Sequence, residues 1–204
     1  MAIAYLYDAF GEDLRNLDLP LLRQCHEQKL NIIVQMIQKK VNCPISSGLG
    51  RLFDAVAAIT GIRSHVCFEG QAAMELEMIS TPSESHYNFS FLTSHFPFLI
   101  QTAPIIREIV SDIRDGISIS EIGSKFHNTL IRIFADLCVI IRKESGLRRV
   151  VMSGGSFQNV LLLSGLRKSL EKEDFQVFSH RLVPTNDGGI SLGQAMIAAS
   201  AAKR

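Results

Sequence analysis

No two cysteines of this chain form a C-x-x-C pair. Cys25, Cys43, Cys67 and Cys138 are scattered over 204 residues, which argues against a zinc ribbon and implies no disulfide framework. Reduced thiols, mostly buried as small hydrophobes, are the expectation. Nor is there an apolar run approaching the roughly 20 residues that a membrane helix needs. The opening Met1-Ala2-Ile3-Ala4-Tyr5 lacks the basic region and long apolar core of a secretory signal, so a cytoplasmic protein without membrane partners is expected. Neither sign of charge dominates: 21 Lys and Arg balance 20 Asp and Glu, for a net charge of +1. Nucleic acid is therefore not an expected partner, since binding a duplex takes a dense basic stripe. Internal repeats, low-complexity stretches and like-charge tails are missing too.

What is present reads as a globular protein, with 47% apolar and 20% charged residues and length enough for one substantial domain or two small lobes. Helical spacing is expected over 18–41 (Leu22, Cys25, Leu30, Ile33, Met36, Ile37), with Pro20 in the first turn. The turn-rich Asn42–Gly50 should end it, and shorter helices are expected over 51–60, 70–79 and 104–113. Tyr87-Asn88-Phe89-Ser90-Phe91 alternates with period two, as a half-buried strand does. Ile119, Ile122, Phe126, Leu130, Ile133, Leu137 and Ile141 form the clearest amphipathic stripe, with Ser118 and Glu121 as a capping box. After Gly146 the pattern becomes α/β: a strand at 150–152, a helix with Val160, Leu163, Leu166 and Leu170 inward, a strand at 175–178 and a helix over 187–202. Such alternation favours a mixed or parallel sheet flanked by helices. A boundary near 145 separates a helical segment with inter-lobe elements, 1–145, from an α/β part, 146–204, the two being expected to form one continuous domain.

Familiar catalytic signatures are absent. There is no G-x-S-x-G, Walker loop or G-x-G-x-x-G, and no histidine pair at i, i+4 among His26, His65, His86, His95, His127 and His180. Two glycine-bearing turns stand out instead. In Ser153-Gly154-Gly155-Ser156-Phe157-Gln158-Asn159, paired glycines between strand and helix serve either a steric turn or the close approach of an anion to a helix start. In Pro184-Thr185-Asn186-Asp187-Gly188-Gly189, Asp187 is open to an N-cap role, a ligand role, or both. Asp54 is expected in the first turn of its helix, where the dipole favours a carboxylate. Glu75, in Glu69-Gly70-Gln71-Ala72-Ala73-Met74-Glu75-Leu76-Glu77, suits paired hydroxyls such as a ribose, or simply a solvated helix face. His127 reads as packed or surface rather than as a ligand.

In order, these segments are Ser47-Gly48-Leu49-Gly50-Arg51-Leu52-Phe53-Asp54-Ala55, Glu69 to Glu77, Lys125-Phe126-His127-Asn128, Ser153 to Asn159, and Pro184 through Gly193-Gln194. Over nearly the whole chain they resemble the C-terminal end of the hydrogenase-maturation carbamoyltransferase family (HypF). The resemblance implies the C-terminal half of a Kae1-like catalytic domain, an α/β lobe of the actin-like ATPase (ribonuclease H-like) fold with a helical N-terminal insertion. It implies ATP with Mg²⁺, and carbamoyl phosphate converted to carbamoyl-adenylate. It further implies transfer of the carbamoyl group to the C-terminal cysteine of a HypE-type acceptor protein. By similarity Asp54 and Glu75 hold the ribose hydroxyls, Gly154 and Gly155 cradle phosphates with Asn159 nearby, and Asp187 is the carboxylate of a zinc or iron site whose other ligands are two histidines; no catalytic residue is assigned.

Departures from the family pattern set further expectations. The acylphosphatase, zinc-finger and adenylate-forming domains and the paired metal histidines have no counterpart in the sequence, and Ser156 stands where the family usually has Val. An enzyme fragment inactive without the N-terminal half is therefore expected, with the missing half as partner and an exposed apolar face favouring self-association into a homo-oligomer. The rival expectations are a non-catalytic remnant or a related carbamoyltransferase with another acceptor.

Overall fold

The computed structural model describes residues 1–92 and 98–202; His95 lies outside them. The architecture is α/β, rich in helix, with two small sheets among the described residues. Two compact units part inside a helix, Met1–Thr129 and Leu130–Arg204, and each is described by itself. None of the described helices is long and apolar enough to cross a membrane.

The first unit is built around α4, Leu49–Ile59. Seven of its eleven residues are buried, as a helix apolar on nearly every side requires. It packs against α1 (Ala2–Phe10) and α5 (Gln71–Ile79), and α1 packs in turn on α3 (Glu27–Gln38) and α6 (Ala103–Arg114). Fully buried Phe53 meets Phe126 edge-on, ring centroids 5.1 Å apart, and His127 at 5.3 Å. Phe126 lies on the long α7, Ile119–Ser145, where Gly123 is a packing requirement: a Cβ there would sit 2.5 Å from Ser80 Oγ and 3.1 Å from Leu76 Cδ1. At the start of α7 the Glu121 N–H donates to Ser118 Oγ at 3.2 Å. The Glu121 carboxylate reaches toward Lys125 at 3.7 Å, so the cap forms in one direction.

Several expectations are corrected here. The helix expected over 18–41 is two, α2 (Pro20–Arg23) and α3. The interval of five between Cys25 and Leu30 breaks the helical phase, and the chain restarts on buried Leu30 and Val34. Of the alternating Tyr87–Phe91 segment, Ser90–Phe91 alone forms β1, antiparallel to β2 at Ile100–Gln101. Side chains hold the rest: the Tyr87 N–H donates to Thr129 Oγ1 (2.8 Å), the Tyr87 hydroxyl to Asp112 (2.9 Å), and Asn88 twice to Glu108. Cys43 and Cys67 are exposed rather than buried. The N-terminal α1 carries no recognised signal in the sequence, yet Leu6 is fully buried.

The second unit holds the end of α7, then β3 (Arg149–Met152), α8 (Val160–Lys172), β4 (Gln176–Ser179) and α9 (Ile190–Ala201). The strands run parallel, from Arg149 beside Gln176 to Met152 beside Ser179. Ala135, Met152, Leu166, Leu170 and Phe175 form the core. Gly165 lets α8 approach α7, for a Cβ would lie 2.3 Å from Ile131 Cδ1. The buried row of α8 is Leu162, Leu166 and Leu170, not one led by Val160. Val160 is the first helical residue and 64% exposed. On α9, which begins after a 3₁₀ turn at Asp187–Gly189, no residue is buried.

Candidate functional site

In the second unit both parallel strands deliver loops at their C-terminal ends, where open α/β sheets receive ligands. After β3 and Ser153 the chain turns at Gly154, φ 107° and ψ 160°, a conformation essentially confined to glycine. Thr185 fastens this turn from both sides. Its carbonyl accepts from the Gly154 N–H at 2.9 Å, and its Oγ1 donates to the Gly154 carbonyl at 3.1 Å. Gly155 follows without a positive φ, and a Cβ there would meet Asn186 Cβ at 3.9 Å. The two glycine segments singled out in the sequence thus form one surface, with the Gly154 amide committed to Thr185.

Local hydrogen bonding explains the neighbouring polar residues. A 3₁₀ turn, Gly155–Gln158, separates the glycines from α8, so the helix start expected directly behind them is displaced. Asn159, 8% exposed, accepts from the Leu162 N–H at 2.8 Å and caps α8. In the second loop Asn186 rather than Asp187 makes the cap, its Oδ1 accepting from the Gly188 N–H at 3.1 Å. Extended backbone at Asn186 aims its side chain at the turn, and Asp187, the first residue of that turn, keeps an exposed carboxylate. A Cβ at Gly189 would sit 2.8 Å from the Pro184 carbonyl oxygen, so packing alone demands glycine there.

The first unit positions the other two carboxylates. Asp54 lies in the second turn of α4 rather than the first, because the helix starts at Leu49 after Gly48; Arg51 Nη1 is 3.4 Å from its Oδ2. Glu75 is tied more firmly. Arg63 donates to both its oxygens, at 2.8 and 2.6 Å, and Gln71 donates a third bond at 3.0 Å while accepting from the Cys67 N–H. The Arg63 hydrogen bonds hold the Glu75 carboxyl below the usual glutamate range, against some desolvation, and raise Arg63 correspondingly.

His127 is buried, its Nδ1 2.7 Å from the Gly123 carbonyl, and burial pushes its pKa down. It is a packed histidine. Among the described residues no three His, Cys, Asp or Glu side chains gather as a metal site. One carboxylate supplies too few donors for a divalent ion, so these residues do not fit a complete metal centre around Asp187. Sequence reasoning missed the Arg63–Glu75 pairing and a second one: Ser153 Oγ lies 2.8 Å from His180 Nε2. The available signal for the second was that both residues directly follow a strand, so that a parallel pair must present them together.

Comparison with known proteins shows the family. Residues 1–194 match the family model described as carbamoyltransferase, Kae1-like domain, second subdomain. The chain is similar to carbamoyltransferase HypF of Synechocystis sp., 29% identical over 96% of this chain and 27% of that protein. It is also similar to carbamoyltransferase HypF of Rhizobium leguminosarum bv. viciae, 36% identical over 79% of this chain and 21% of the relative. A crystal structure of full-length HypF in its phosphate- and nucleotide-bound form superposes with a TM-score of 0.87, at 44% identity over 96% of this chain and 30% of that one. The T. kodakarensis HypF structure gives 0.81, at 25% identity over 97% and 26%. The chain therefore spans about a quarter of the length of these relatives.

Proposed function

The chain belongs to the HypF carbamoyltransferase family and has its Kae1-like fold, and from that premise we propose that it is the nucleotide-binding part of an ATP-dependent carbamoyltransferase. The observation that carries the reading is the glycine surface of the second unit, Gly154–Gly155 fastened to Thr185–Asn186 at the C-terminal ends of parallel β3 and β4. ATP is a substrate in this reaction. Gly154 contributes its conformation, and Gly155, with no side chain, lets phosphate oxygens approach the backbone. Asn159 fixes the start of α8 and so the far end of the turn. Asp54 and Glu75 are assigned to the ribose hydroxyls by family similarity. For Glu75, one of its hydrogen bonds from Arg63 or Gln71 must give way to the ligand, since three donors already surround it.

In the proposed reaction water cleaves carbamoyl phosphate to carbamate and phosphate, and the carbamate oxygen attacks the α-phosphorus of ATP to give carbamoyl-adenylate and pyrophosphate. The carbamoyl group then passes to the sulfur of the C-terminal cysteine of a HypE-type partner, with AMP as the leaving group. Backbone amides aimed at phosphate oxygens stabilise charge that develops there. Magnesium would accompany the ATP; among the described residues no three His, Cys, Asp or Glu side chains gather at Asp187 to hold a further metal.

Calorimetric titration with ATP and Mg²⁺ tests the reading. The wild type should bind, and Glu75→Ala should weaken binding by about tenfold or more, the effect of losing charged hydrogen bonds. Gly155→Ala is the sharper variant. The protein tolerates a Cβ at this position, so weakened binding reports ligand approach. Absence of binding in the wild type, or unchanged affinity in both variants, would contradict the proposal.

A further inference from the structure

Ser153 and His180 are 27 residues apart, yet the strand register brings them together: Met152 and Ser179 are the last paired residues of β3 and β4, and the next residue on each strand is one of the pair. Both are exposed, and neither belongs to the core of the second unit. Ser153 also begins the glycine turn. We propose that Ser153 is a phosphoryl ligand at the rim of that turn and that His180 is the positioning residue that sets the direction of its hydroxyl. This deepens the nucleotide reading above and rests on it.

A serine hydroxyl has one proton to donate, and an ionised phosphoryl oxygen only accepts. If His180 Nε2 accepts the Ser153 proton, Ser153 Oγ presents lone pairs to the ligand, a poor match for phosphate. If Nε2 carries a proton, as the other tautomer or as imidazolium, it donates to Ser153 Oγ and the hydroxyl proton turns to the phosphoryl oxygen. A bound phosphoryl group therefore selects the donor form of His180, and the imidazolium adds favourable charge to a charge-assisted bond. No covalent bond forms or breaks.

The charged groups on neighbouring elements are of both signs. Arg181 follows His180 in sequence, and on α8 Arg167 Nη2 donates to Ser179 Oγ at 2.5 Å while its Nη1 lies 3.7 Å from Glu171. Asp187 belongs to the loop that fastens Gly154. The two arginines favour an anion beside the pair, and Asp187 and Glu171 oppose it.

The test is titration of the full chain with ATP and Mg²⁺, and with adenosine as the phosphate-free control. Wild type, Ser153→Ala, His180→Ala, His180→Gln and the double alanine variant are compared. Each alanine variant should weaken ATP about tenfold, the scale of one charge-assisted hydrogen bond, and the double variant should be no weaker than the weaker single. His180→Gln, which keeps an N–H donor, should retain most of the affinity. Adenosine binding should not change. Unaltered ATP affinity in both alanine variants, or fully additive losses, would overturn the proposal; if Gly155→Ala still weakens binding in that case, the nucleotide reading survives it. Failure of the wild type to bind ATP at all would overturn both. Thermal unfolding of each variant controls for folding.

Discussion

The first unit ties most of its polar groups into packing and leaves Asp54 and Glu75 half-buried, whereas the second exposes its glycine surface. Around α4 and the start of α7, even the polar side chains are absorbed into packing: His127 donates or accepts within its own helix, Thr129 holds the Tyr87 backbone, and Lys125 lies 3.0 Å from Asp112. In the second unit five residues make the core, and Ser153, Gly154, Gly155, His180 and Asp187 all face solvent. A deep core fixes shape. Small parallel strands covered on one side leave their loop ends open to one. Stability and proposed binding are thus unevenly divided along the chain.

The largest test of that division is Phe53→Ala. Removing a fully buried ring in edge contact with Phe126 and His127 should cost about 3–5 kcal/mol, read by urea denaturation. Leu170→Ala, in the smaller core, should cost about 2–3 kcal/mol, the low end for a buried leucine. If the two losses were reversed in order, the contrast between the units would fail. Asn159→Ala removes the cap of α8 and should cost about 1 kcal/mol, with faster amide hydrogen exchange confined to the first turn of that helix.

The acid side sharpens the comparison further. Glu75 in the folded first unit is held below its usual range, chiefly by the Arg63 hydrogen bonds. Its contribution to stability is therefore present above the ordinary glutamate range and lost as pH falls through the lower, folded value. Arg63→Gln should flatten that part of the stability curve, measured as the denaturation midpoint between neutral pH and about pH 3. The smallest effect belongs to α9: Ile197, 72% exposed, should change stability by no more than about 0.5 kcal/mol when replaced by serine.

Much of this was legible before any coordinates. The long stripe of α7 was clear because its apolar residues recur at intervals of 3 and 4 over more than five turns, and the strand–turn–helix order after Gly146 announced the parallel pair. Tyr87–Phe91 misled because period two signals alternating burial, and burial can be secured by side chains from other helices as well as by a ladder. Asp187 and Asn186 differ in capping for a reason invisible in composition, namely which of two adjacent polar residues has extended backbone. Binding candidates in the sequence came from motif order, whereas Arg63 and His180 emerged from geometry. Arg63 stands twelve residues from Glu75 and His180 twenty-seven from Ser153, distances that no local pattern spans.

The most direct test of the account is amide chemical-shift mapping by NMR as ATP and Mg²⁺ are added to the full chain. The account predicts that within the second unit the largest changes fall at residues 153–159 and 184–189, with the buried residues of α8 unmoved. Saturating nucleotide that shifts neither glycine segment, or shifts confined to α9 and other surfaces, would contradict it.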